Sequence, residues 1–82
     1  MVPCVLTAIP LESFRLAVTY TSGAVSVFDL NPWLDKGMFR ALRDPALFRA
    51  VRPYRNTVEW PNGADLDPET LYEDSVAPRP SA

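Results

Sequence analysis

The sequence predicts a small α+β domain, a mostly antiparallel sheet with short helices in the order β-β-β-α-α-β-β-α, and three observations carry that prediction. Alternating apolar runs separated by turn residues fill the N-terminal part of the chain. An Asn-Pro or Asp-Pro helix-start pair recurs at Asn31-Pro32, Asp44-Pro45 and Asp67-Pro68. Two further β-rich runs flank the turn residues Pro53-Tyr54-Arg55-Asn56. The 82 residues hold enough apolar surface for one core and not for two. A single domain is therefore expected over residues 1–73, with residues 74–82 as a disordered tail that has no periodic apolar face.

From Val2 to Pro10 the residues are short, apolar and partly β-branched, with prolines at 3 and 10, as suits a strand at a sheet edge. Phe14 to Tyr20 alternates, placing Phe14, Leu16, Val18 and Tyr20 on one face. Gly23 supplies the tight turn, and Ala24 to Leu30 returns as the third strand. Val25 and Val27 are expected on its core face. Phe28 and Leu30 fall on the opposite parity, so a helix is expected to cover that side as well. In each of the three Asn/Asp-Pro devices the side chain accepts from free first-turn amides, and proline brings a preset φ. Leu66 and Leu71 flank the third at the spacing of a hydrophobic staple. Gly37 ends the first helix, with Phe39 and Leu42 pinning the connection to the core. Phe48 to Arg52 and Thr57 to Trp60 read as the last two strands.

The sequence contains no histidine, which excludes Ser-His-Asp and Cys-His catalysis and any zinc site that needs an imidazole. Cys4 is the only cysteine, so no internal disulfide or thiolate cluster forms. It reads as a small buried hydrophobe, with a reactive thiol as the other reading. Lys36, the sole lysine, reads as an exposed turn residue beside Gly37. Asp65, Asp67 and Glu69 read as a solvated cluster, because carboxylate hydrolysis needs two groups facing across a cleft, one in apolar surroundings. The same residues lack the remaining positions of a calcium loop. No enzyme, metal or cofactor is expected. No apolar run approaches the roughly 20 residues of a membrane span, and the start has no signal-peptide pattern, so a cytoplasmic location without membrane contact is expected.

Charge is unevenly placed although the net value is only -2. Lys36, Arg40, Arg43, Arg49, Arg52 and Arg55 face Asp44 alone in their stretch, whereas Glu59, Asp65, Asp67, Glu69, Glu73 and Asp74 follow with no base among them. Internal ion pairs and solvated faces are one reading. An arginine surface carrying Arg40, Arg43 and Arg52 toward an acidic partner or phosphates is the other. A sequence pI near 4.9 disfavours nucleic acid, while Tyr54 beside Arg52 and Arg55 keeps it open through base stacking. Trp60 reads either as a core plug or as an interface anchor. Asn62 and Asp65 read either as turn residues or as polar contacts offered from a rigid loop.

The run Trp60-Pro61-Asn62-Gly63-Ala64-Asp65-Leu66-Asp67-Pro68-Glu69-Thr70-Leu71-Tyr72 resembles the closing signature of the bacterial domain-of-unknown-function family 2442. Val27-Phe28-Asp29-Leu30, Leu34, Gly37-Met38-Phe39 and Leu42-Arg43-Asp44-Pro45-Ala46-Leu47-Phe48 are similar to the same family in the same order, so the likeness covers nearly all of residues 2 to 73. It implies a compact bacterial α+β domain, similar to the N-terminal domain of longer proteins that add a helix-turn-helix. It also implies a small protein encoded nearby, in an arrangement like a toxin and antitoxin pair. The chain stops ten residues after Tyr72, so a role carried by an added helix-turn-helix is not expected. The expected function is a non-enzymatic protein-interaction module, the antitoxin-like or regulatory partner of another small protein in a bacterial operon. The alternative is a nucleic-acid-binding regulator using the Arg40 to Arg55 surface. A homodimer through an open strand edge or through sheet packing is a further expectation.

Overall fold

A computed structural model describes residues 2–76. Strands β1 (Val5–Leu11), β2 (Arg15–Tyr20) and β3 (Val25–Asp29) form an antiparallel sheet in that spatial order, and β4 (Arg52–Tyr54) and β5 (Thr57–Glu59) form a two-stranded one. Two helices, α1 (Pro45–Phe48) and α2 (Pro68–Asp74), follow three 3-10 segments at Glu12–Phe14, Asn31–Trp33 and Gly37–Arg43. The class is α+β in the predicted order, with the strands divided between two small sheets. A backbone bond from Val5 N to Arg55 O, 2.8 Å long, ties the sheets together.

Strand register decides which residues form the core. Leu16 pairs with Phe28 and Val18 with Ser26, and on the other side Pro10 pairs with Leu16 and Ala8 with Val18. Leu16, Val18, Tyr20 and Phe28 are fully buried, as is Leu30 just past the strand end. Phe28 and Leu30 are covered as expected, with Trp33 packed on the Phe28 ring at 5.1 Å, but Val25 and Val27 lie on the outer face instead of the core face. Because side chains alternate with a period of two, the partner strand sets this parity and the identity of the valines does not. Cys4 is exposed, contrary to its expected burial. It precedes β1, and its carbonyl accepts from Thr21 N at 2.8 Å.

Asp44 and Asp67 cap as expected, accepting from Ala46 N and Thr70 N at 3.1 Å each. Leu66 and Leu71 are both buried at the entry to α2. Asn31 does not cap. Its amide nitrogen donates to Ser13 O and to Asp29 Oδ1, both at 2.7 Å, fastening the corner between β1 and β2. That corner holds two consecutive residues in the left-handed region, Ser13 at φ 61° and Phe14 at φ 57°. The conformation costs on the order of 1 to 3 kcal/mol at a non-glycine position. It is held by Leu30 N on Phe14 O and by an edge contact of the Phe14 ring with Phe48 at 5.2 Å.

The expected strand from Phe48 to Arg52 begins later, at Arg52. The Asp44-Pro45 cap starts a helical turn that captures Phe48 N on Asp44 O and Arg49 N on Pro45 O. The expected tail also starts later. Asp74 closes α2, and Val76 exchanges two hydrogen bonds with Val27, at 2.7 and 2.9 Å, along the outer edge of β3. Residues 77–82 of that tail lie outside the described residues.

Tyr20 sits against α2 with its ring edge-on to Tyr72 at 5.1 Å. Its Oη and Ser26 Oγ are buried, and neither has a hydrogen-bond partner among the described residues. Burial pushes the phenol pKa above its usual 10.0 and Tyr72 pushes it the same way, while the nearby Ser26 hydroxyl opposes them. A raised folded-state value means the native chain keeps its proton longer than the unfolded one. Stability is therefore fully present below pH 10.0 and is lost as pH rises through the folded-state value. Urea melts across this range are expected to show that loss, and Tyr20→Phe is expected to flatten it without weakening the fold at neutral pH.

Candidate functional site

Trp60 is 1 % exposed, donates its Nε1 to Phe48 O at 3.0 Å and meets the edge of Phe39. It is a core residue and presents no face to a partner, which corrects its reading as an interface anchor. Immediately after it the chain reverses. Gly63 N bonds to Trp60 O at 3.0 Å and Trp60 N to Ala64 O at 2.9 Å, so Pro61-Asn62-Gly63 forms a tight turn that brings Asp65 opposite Glu59. Gly63 takes φ 92°, which a side chain rarely adopts.

Asn62 is used twice within the fold. Its Oδ1 accepts from Ala64 N at 3.1 Å, closing the turn, and its Nδ2 donates to Met38 O at 3.1 Å, across to the Gly37–Arg43 segment. Its expected role as a polar contact is replaced by that of a clamp. The clamped segments leave a groove between them of about 350 Å³, lined by Trp33, Lys36, Gly37, Met38 and Phe39 on one side and Gly63, Ala64 and Asp65 on the other. Ligand-sized pockets begin at about 300 Å³. Met38 is 53 % exposed there, and the Lys36 ammonium stands 5.9 Å from the centre of the Trp33 ring. A methyl group on Gly63 would approach Met38 Cε to 3.0 Å, so a bare backbone at 63 leaves that side chain its place. The lining side chains offer one amine, one carboxylate, the Trp33 indole and the Met38 thioether, with no hydroxyl or thiol.

Of the residues expected to bind a partner, Asp65 lines this groove and is exposed. Arg40 and Arg43 are exposed on the neighbouring Gly37–Arg43 turn, with Arg40 Nε tied to Asp35 O at 3.2 Å. Arg52 is drawn off the expected basic surface. Paired across the hairpin with Glu59, it donates through Nε at 2.9 Å and Nη2 at 2.6 Å to the same carboxylate oxygen. Arg55 lies over the exposed Tyr54 ring at 5.3 Å. Trp33 and Met38 were not read as site residues from sequence. The available signal was two large apolar side chains beside Lys36 and Gly37 in a turn, and it identifies a groove only once the Gly63 turn is known to face them.

The fold and the groove define a small α+β domain with an apolar surface cleft held open by an asparagine clamp. The chain belongs to the DUF2442 family of proteins of unknown function, whose family model matches residues 5–77. No match was found among curated proteins or among solved structures. Among the described residues, no helix is long and apolar enough to cross a membrane.

Proposed function

We propose that this chain is a protein-interaction module that receives an apolar side chain of another small protein in the groove between Trp33, Met38 and Asp65. In this reading it is the antitoxin-like or regulatory member of a small bacterial operon. The groove carries the proposal: an apolar floor bearing an exposed methionine, rimmed by Lys36 and Asp65, suits an apolar anchor flanked by charge of either sign. Tryptophan and methionine give contact area with little polar desolvation. The lining supplies apolar surface for recognition, with a single amine and a single carboxylate at its rim.

The test is co-expression with the product of the neighbouring gene, followed by size-exclusion chromatography and calorimetry. A stable complex is expected for the native chain. Met38→Glu, which places a charge in the groove at an exposed position, is expected to weaken binding by at least about tenfold, in the range of a hot-spot loss. Its melting curve is expected to be unchanged. Two native chains that elute separately, or a complex indifferent to Met38→Glu, would remove the proposal.

A further inference from the structure

We propose that the outer face of the β1-β2-β3 sheet is a self-association surface and that its occupant is a second copy of this chain. The face has three cross-strand rows: Thr7, Thr19 and Val25; Ile9, Ala17 and Val27; and Leu11, Arg15 and Asp29. The first two rows carry no charge. Ile9 is 55 % and Val25 44 % exposed, and neither Ala17 nor Val27 belongs to the buried core.

The third row decides in favour of a copy over an unrelated partner. It holds one cation and one anion side by side, both exposed; Asp29 gives Oδ1 to Asn31 and Arg15 gives Nε to Glu12 O, which leaves Oδ2 and the terminal guanidinium nitrogens to face outward. A two-fold axis running along the strands between β2 and β3 sets each Arg15 across from the other copy's Asp29, with the apolar rows stacked on each other. The face thus complements itself in charge as well as in apolarity.

Growth along the sheet edges is blocked by comparison. The outer edge of β3 is taken by Val76. The free edge of β1 carries Pro10, which has no amide to donate, and its first residue is bonded to Arg55. Three strands about 4.8 Å apart and about six residues long span about 300 Å². The two uncharged rows make up about two thirds of it, below the largest apolar patches of single proteins, roughly 300 to 600 Å². The whole face falls short of the roughly 800 Å² per partner of a stable complex. The dimer is therefore weak and concentration-dependent.

The groove lies elsewhere on the molecule, so this inference does not rest on the reading of the groove. Sedimentation equilibrium of the chain alone, from micromolar to millimolar concentration, tests it. The native chain is expected to rise from monomer toward twice the mass. Ile9→Glu and Val25→Lys, both at exposed positions, are expected to remain monomeric throughout while keeping the native circular dichroism. Arg15→Glu is expected to weaken the dimer several-fold. A native chain that stays monomeric at millimolar concentration, or a dimer that survives both Ile9→Glu and Val25→Lys, overturns the inference.

Discussion

Trp60→Ala is expected to abolish cooperative unfolding at room temperature. Removing a large aromatic side chain from a packed interior costs about 3 to 5 kcal/mol. The indole N–H bond to the Phe48 carbonyl, 3.0 Å long, is lost as well, adding about 1 kcal/mol, while that carbonyl keeps the longer bond from Val51 N at 3.3 Å. Domains hold about 0.05 to 0.15 kcal/mol per residue, so a chain of 82 residues has about 4 to 12 kcal/mol in all. The loss is comparable with the whole. Trp60→Phe keeps most of the volume, including the contact with Phe39, and is expected to fold with reduced stability. Chemical denaturation followed by circular dichroism measures both variants, with the half-buried Trp33 as a second fluorescent probe. A sharp transition for Trp60→Ala that moves by less than about 1 kcal/mol would show that this side chain does not organise the core.

Asn62→Asp separates the clamp from a direct contact. The substitution keeps an oxygen to accept from Ala64 N, so the turn survives, but it loses the donor to Met38 O and sets a carboxylate oxygen against that carbonyl. A loss of about 1 to 3 kcal/mol in folding stability is expected, from the unmade bond and the repulsion. The groove wall bearing Met38 is released at the same time, so partner binding is expected to fall along with stability. Asn62→Ala removes both bonds and is expected to cost more. If Asn62→Asp left the denaturation midpoint unchanged and abolished only partner binding, the asparagine would be a contact residue after all, and the clamp reading would fail.

Much of the local architecture was legible because it depends on neighbours in sequence. An aspartate followed by proline starts α1 and α2 through bonds spanning two or three residues, and Leu66 and Leu71, at staple spacing around the second of these caps, are both buried. The alternation from Leu16 to Tyr20 needed only a period of two. The exceptions involve distant partners. Asn31 has the same local pattern as the two aspartates, yet it is eighteen positions from the Ser13 carbonyl that takes its amide. Phe48 reads as the start of a strand until the helical turn begun at Asp44 claims it.

The candidate site was less legible than the fold. Asn62 and Asp65 stood out as residues without an assigned structural task, and one became a clamp while the other lines the groove. Arg52 was lost from the basic surface to Glu59, seven positions away but directly opposite across a hairpin whose register the sequence leaves open. Trp33 and Met38 gained importance only through what faces them.

By itself the sequence determined the class, the order of elements, the caps and staple, the family likeness and the chemistries that need histidine. Tertiary structure alone decided that Phe28 rather than Val25 and Val27 enters the core, that Trp60 is enclosed, and that a cleft opens between residues 33–39 and 63–65. The physical reason is range. Capping and helical bonds act over a few residues and are written in adjacent positions, whereas strand parity and groove shape depend on which distant segments meet.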